Sequence, residues 1–254
     1  MKKRAIALML SAALVLSLAA CGDTSTAEES KAPSEPSATT EDTPAPTPEL
    51  EDKEAYEITY SNVKTYTNSI GTTYAQVIVE IENTGTTDLY LSTGSYDLED
   101  ESGKLIASSS MVSTYPDVIS PGEKAYMYEE NMLDNPVDGT LTVSPRPSVE
   151  KAKVENIRFN VTDVEISADQ YGYLKAIGRV ENTGSETENM VYIVLILKDS
   201  AGTPIGQIFT ILMEDLAAGD KVGFEASAMS LPKDVTVDSV ASYDVYAYPM
   251  QMQF

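Results

Sequence analysis

Three hydrophobic regimes succeed one another along the 254 residues. Ala5 to Leu18 is a short apolar run, broken only by Ser11 and Ser17 and preceded by Lys2, Lys3 and Arg4. From Gly22 to about Glu54 the apolar signal vanishes: Leu50 is the only large aliphatic side chain and no aromatic occurs. Beyond that, apolar and polar positions alternate. Val77, Val79 and Ile81 interleave with Gln76, Glu80 and Glu82, and later Ala176, Gly178 and Val180 interleave with Lys175, Arg179 and Glu181. A period of two predicts strands with one face turned inward. Val191 to Leu197 is instead a continuous, β-branched-rich run, which predicts a strand buried on both faces. Helical periodicity is scarce after the N-terminal run. The expected fold class is therefore all-β, with short strands and regular turns arranged as a sandwich.

The alternating region is written twice. At a constant shift of 99 residues, Tyr74–Ala107 and Tyr173–Gly206 share ten identities in 34 positions, including the unbroken block Glu82-Asn83-Thr84-Gly85 and Glu181-Asn182-Thr183-Gly184. Pro121 to Lys124 then falls on Ala218 to Lys221 at a shift of 97. Asn tolerates unusual backbone angles and Gly takes positive φ, so the Asn-Thr-Gly blocks predict turns that end strands. Asp100 to Gly103 and Asp199 to Gly202 predict two equivalent hairpin turns. A boundary fits at Ser144-Pro145-Arg146-Pro147-Ser148, where two prolines disfavour sheet pairing. The expectation is two tandem β-sandwich domains, residues 55–145 and 150–250.

The second copy carries AIGRVENTG, a strand ending LILKD, the hairpin DSAG and the segment LAAGDKVGF. In these it resembles the bacterial FxLYD-type domain. The name motif falls on Leu195, Leu197, Lys198 and Asp199, with Leu195 in place of Phe and Lys198 in place of Tyr. The first copy offers Tyr96, Leu98, Glu99 and Asp100, again without the motif Tyr, so both copies are divergent. The resemblance implies immunoglobulin-like sandwiches borne on secreted proteins and lipoproteins. It implies no activity and no ligand.

The N-terminus reads as a secretory signal peptide over residues 1–20: cationic start, apolar stretch too short to span a bilayer, then small residues. Leu18-Ala19-Ala20-Cys21 resembles a bacterial lipobox, which implies acylation of the Cys21 sulfur and cleavage before it. The only cysteine of the chain stands at that position. Two acyl chains anchor stably where one is marginal, so Cys21 is the expected lipidation site and the bilayer the first partner, with the body on the extracytoplasmic face of the cell membrane. Residues 21–54 then read as a disordered acidic tether. Asp23 to Glu57 holds eleven acids against Lys31 and Lys53, and Pro33, Pro36, Pro44, Pro46 and Pro48 punctuate it. About 33 such residues reach roughly 30 Å root-mean-square when flexible and roughly 100 Å when wholly polyproline-like.

Composition narrows the chemistry. Forty acids against 17 bases give a formal charge of −23, which repels phosphate backbones, so nucleic acid is not expected as a partner. With no His, no Ser-His-Asp or Cys-His unit can form; with one Cys, neither a zinc site rich in thiolates nor an intrachain disulfide can. Ser61 with Lys64 and Ser148 with Lys151 match S-x-x-K, but the companion motifs are missing and a helix is required there. Asp97, Glu99, Asp100 and Glu101 offer hard oxygens to calcium, without EF-hand spacing. Nothing selects a carboxylate pair for glycoside hydrolysis. Tyr243, Tyr246 and Tyr248 alternate near the end of the chain, one face expected in the core and the other a candidate stacking platform. The apolar tail from Met250 to Phe254 is expected to finish the last strand or fill a groove. No catalytic, cofactor or metal residue is assigned and no cofactor is expected. The expected function is a non-enzymatic binding or assembly module at the cell envelope, its partner an unidentified envelope protein or glycan. The alternative is a carboxylate-based envelope hydrolase with calcium as an optional cofactor.

Overall fold

The computed structural model describes residues 52–228 and 230–253. The signal-peptide segment, Cys21 and the tether as far as residue 51 lie outside the described residues. Those that are described belong to one compact unit. They are all-β: antiparallel sheets carry the structure, and the one helical element is a 3-10 turn, Val237–Ser239.

In the first copy β1 (Tyr56–Thr67) and β2 (Thr73–Asn83) form a hairpin. The short β3 (Leu89–Leu91) is followed by β4 (Gly94–Glu99), β5 (Leu105–Val112), β6 (Thr114–Tyr115), β7 (Val118–Ile119), β8 (Lys124–Met132), β9 (Thr142–Arg146) and β10 (Val149–Lys151). Three sheets result, with orders β1-β2-β8-β6, β5-β4-β9 and β10-β3-β7. Between them lies a core built from Val77, Val79 and Ile81 of β2, Tyr96 and Leu98 of β4, and Met127 of β8. The second copy comprises β11 (Asn160–Ala168), β12 (Leu174–Glu181), β13 (Val191–Lys198), β14 (Pro204–Leu212), β15 (Lys221–Ser227) and β16 (Ser242–Pro249). Their order is β11-β12-β15-β14-β13-β16. The β14–β15 link is a single residue pair, Phe209 with Ser227, so two three-stranded layers fold over a second core. That core includes Ala176, Ile193, Leu195, Leu197, Ile208 and Phe224.

The repeat is visible in the hydrogen bonds. Asn83 is buried at the end of β2, and its amide donates to Thr87 O (2.9 Å) and Ile119 O (3.0 Å), while its Oδ1 accepts from Gly85 N (2.9 Å). Asn182 does the same with Glu186 O (2.8 Å), Leu216 O (2.9 Å) and Gly184 N (2.9 Å). The Asn main chains are also matched: Asn83 N donates to Glu123 O and Asn182 N to Asp220 O, both at 3.0 Å. Gly85 is required for a steric reason, since a Cβ there would meet Lys53 O at 2.1 Å. Both predicted hairpin turns form, with Asp100 and Asp199 each accepting two main-chain N–H bonds within the turn.

Three expectations need correction. The outer face of β2 is not solvated: Gln76, Ile78 and Glu80 are 3%, 2% and 6% exposed, with Tyr126 and Tyr128 bonded to Glu80 and Gln76 and β14 of the second copy lying against the strand. The two prolines do not interrupt pairing. Pro145 lies in β9, opposite Tyr96, and β10 follows at Val149, both on first-copy sheets. Pairing tolerates Pro145 because β9 is an edge strand. Tyr246 and Tyr248 form no free platform: they are packed into a third cluster with Tyr126, Val194 and Ile196, between the copies. Val245 and Ala247, on the Tyr243 face, enter the second core. The last strand ends at Pro249, and the tail runs on so that the Gln253 side chain bonds Lys153 N and Lys151 O.

Because each asparagine satisfies three main-chain groups, one buried and two partly buried, truncation orphans them together. Asn83→Ala and Asn182→Ala should each lower stability by about 2–4 kcal/mol, read as a drop in the urea midpoint of the full-length chain. A loss below about 0.5 kcal/mol would show that water replaces the amide.

Candidate functional site

The outward faces of the two copies meet along a seam of rings. Tyr115 lies 5.2 Å from Phe209 and 6.3 Å from Tyr192, and Tyr192 lies 5.6 Å from Tyr248. At one end Arg158 lies 5.5 Å over the Tyr248 ring and donates to Val118 O. At the other, four charges alternate around one phenol. Glu80 accepts from Lys124 Nζ (2.6 Å) and Thr59 Oγ1 (2.7 Å), and Asp244 pairs with Lys198 Nζ (2.5 Å). The Tyr126 hydroxyl is 2.9 Å from both carboxylates, so its single proton serves one at a time. Burial pushes the Glu80 carboxyl up, but its hydrogen bonds from Lys124, Thr59 and Tyr126 outweigh this and hold it below its usual range. Lys198 Nζ also lies 5.8 Å from the Tyr126 ring centre, so it contacts the first copy as well.

Beside the seam a cleft of about 470 Å³ opens between two hairpin tips and a loop. The first tip is Asn68 to Thr72, where Asn68 Oδ1 accepts from Ile70 N (3.1 Å) and Thr72 N (2.9 Å). The second is Asp169 to Tyr173, built alike, with Asp169 Oδ1 accepting from Tyr171 N (2.8 Å) and Tyr173 N (2.9 Å). An Asn or Asp that caps its own turn suits each position. Tyr66 and Tyr74 are directly paired on β1 and β2, and their rings stack at 5.5 Å and 19°. From the other copy come Tyr171 and Tyr173, 77% and 48% exposed. The third wall is formed after β15 by Ala228 and by the loop from Ser230 to Thr236. Ala228 N donates to Leu174 O, Tyr66 OH lies 2.7 Å from Ser230 Oγ, and Lys64 pairs with Asp234, which ties the loop to both copies.

Behind Ser230 lies a smaller recess of about 190 Å³ that contains Glu130, Tyr128, Gln207 and Phe209. Burial pushes the Glu130 carboxyl up to about 7, against hydrogen bonds from Tyr128 and Tyr66 that favour its charged form. Burial likewise raises the Tyr66 hydroxyl to about 12. Asp117, elsewhere along the seam, is raised to about 6 by burial.

The sequence-predicted candidates are dispersed. Cys21 lies outside the described residues. Ser61 and Lys64 are on β1, and Lys151 is on β10, paired with Asp52, so neither S-x-x-K lies on a helix. Asp97 accepts from Arg146 and Ser108, Asp100 caps its turn, and Glu101 accepts weakly from Thr140 N at 3.4 Å. Among the described residues no group of three or more Asp, Glu, His or Cys is placed to hold a metal. Sequence reasoning missed Tyr66, Tyr74, Tyr171 and Tyr173 as a set. The available signal was that each lies within two residues of a hairpin turn.

No protein-family model matches the chain and no curated protein matches it.

Glu130 sets a pH dependence. Its folded value of about 7 exceeds its ordinary 4.5, so the folded chain binds this proton more tightly than the unfolded one. Stability should therefore fall as pH rises from about 4.5 to about 7 and level off above, with Asp117 acting in the same sense up to about 6. Asp234, held low by Lys64, acts oppositely and only in more acid solution. After allowance for solvent screening, Glu130 contributes about 1–2 kcal/mol of this loss. Urea midpoints at about pH 5 and about pH 8 should converge in Glu130→Gln relative to the unsubstituted chain. An unchanged difference would remove Glu130 as the source.

Proposed function

We propose that this chain is a lipid-anchored binding module on the extracytoplasmic face of a bacterial membrane. Cys21 carries the acyl chains, the acidic stretch to about residue 54 holds the body off the bilayer, and two FxLYD-like, immunoglobulin-like units supply the body. The observation that carries a binding role is the tyrosine-lined cleft. It is assembled from both copies, it holds exposed rings beside hairpin turns capped by Asn68 and Asp169, and its size falls within the roughly 300–1,000 Å³ of ordinary ligand sites. A non-enzymatic reading is supported by the recess behind it. Glu130 is the only acid among the residues lining that recess, whereas glycoside hydrolysis uses two carboxyls flanking the scissile bond.

Among the described residues no helix is long and apolar enough to cross a membrane, so attachment in this reading rests on Cys21. Cells fed radiolabelled palmitate should label the full-length chain, and Cys21→Ser should abolish the label and release the protein from the membrane fraction. Equal labelling of the two would overturn the anchor.

A further inference from the structure

We propose that the tyrosine-lined cleft binds a short oligosaccharide, neutral or acidic, through ring stacking on Tyr171 and Tyr173. The inference rests on the binding reading above and names the ligand class of that same site.

The chain holds 40 acids in 254 residues, yet none of the residues lining the cleft is acidic, and Lys233 is among them. On an otherwise strongly negative surface the lining itself carries no carboxylate; Asp169 is engaged in capping its turn and Asp234 is paired with Lys64.

A pyranose has one face of C–H groups and a rim of hydroxyls. It needs flat apolar rings flanked by neutral hydrogen-bonding groups. Tyrosine supplies the ring face and a hydroxyl together. Tyr171 and Tyr173 offer that surface at the tip of a turn fixed by Asp169, and the Tyr66–Tyr74 stack forms a further aromatic part of the wall. Asn68, Ser69, Ser230 and Thr236 complete a neutral polar rim.

The walls also disfavour a peptide added as a strand, which is captured by an open strand edge where rows of main-chain N–H and C=O are free. In the two hairpin tips the N–H groups of Ile70, Gly71, Thr72, Tyr171, Gly172 and Tyr173 already bond within their turns, and in the loop Ala228 N donates to Leu174 O and Val235 N to Pro232 O. The tips therefore meet a ligand through ring faces and side-chain polar groups. The loop is in addition fixed by the Lys64–Asp234 and Tyr66–Ser230 contacts, so the site stands preformed and little ordering entropy is lost on binding.

The test uses the purified full-length chain in detergent micelles and three probes: tetramers of N-acetylglucosamine, of glucose and of galacturonic acid, each raised to millimolar concentration. Binding is followed by saturation-transfer NMR and by tyrosine fluorescence, the chain having no Trp. At least one tetramer should bind. Tyr171→Ala and Tyr173→Ala should each weaken it roughly tenfold, the scale of one aromatic stacking contact. Both side chains are exposed, so neither substitution threatens folding. Tyr243→Ala, away from the cleft and 37% exposed, should leave binding unchanged. If the acidic tetramer binds, Lys233→Gln should weaken that probe alone. Binding of no tetramer, or binding that survives both tyrosine substitutions, would overturn the assignment. The palmitate label is read separately, so failure of the glycan assignment and failure of the anchor are distinguishable.

Discussion

A β-strand sends alternate side chains to opposite faces, and on β13 both sets are apolar. Ile193, Leu195 and Leu197 enter the core of the second copy, which leaves Val194 and Ile196 on the outside with Tyr192. That outer face requires cover, and the first copy provides it with Tyr126 and Tyr115, while Tyr248 of β16 and Phe209 of β14 flank it. Burying Val194 and Ile196 is worth roughly 1.5–3 kcal/mol each as an upper estimate, and the Tyr126 and Tyr248 rings add apolar area to the same face. The two copies are therefore held against each other by the same kind of burial that builds each core.

The polar members of the seam follow from that constraint. Once β2 is covered, Glu80 and Gln76 are no longer in water and must find partners. Glu80 is surrounded by Lys124, Thr59 and Tyr126, and Gln76 donates to Tyr128 OH at 3.1 Å. With Asp244 and Lys198 the local charges balance, two against two, which limits the desolvation cost of closing the seam. Glu130 has no such cation. Its partners are the hydroxyls of Tyr128 and Tyr66, which is why burial dominates and its proton is retained toward neutrality.

The cleft is a by-product of the same packing. Joining the copies brings two equivalent hairpin tips to one side, and the loop after β15 closes the gap between them. The tyrosines beside the turns then face a shared space that neither copy has alone. The residues lining it carry no carboxylate, and the two acids of its walls, Asp169 and Asp234, are engaged by the turn and by Lys64.

The sequence by itself determined the local structure. Alternation placed β2 and β12, the continuous run Val191 to Leu197 announced a strand buried on both faces, and the Asn-Thr-Gly and Asp-x-x-Gly blocks marked turns that form as expected. These signals are legible because period and turn chemistry depend on neighbours within a few residues. Tertiary structure decided the rest. Glu80 and Gln76 read as solvent-facing because their cover comes from more than 100 residues away. Pro145 read as a break because nothing in the chain announces an edge strand. The cleft tyrosines are not picked out as a set because a site made of two hairpin tips and a loop exists only once the copies are in contact, and contact between distant segments leaves no local pattern.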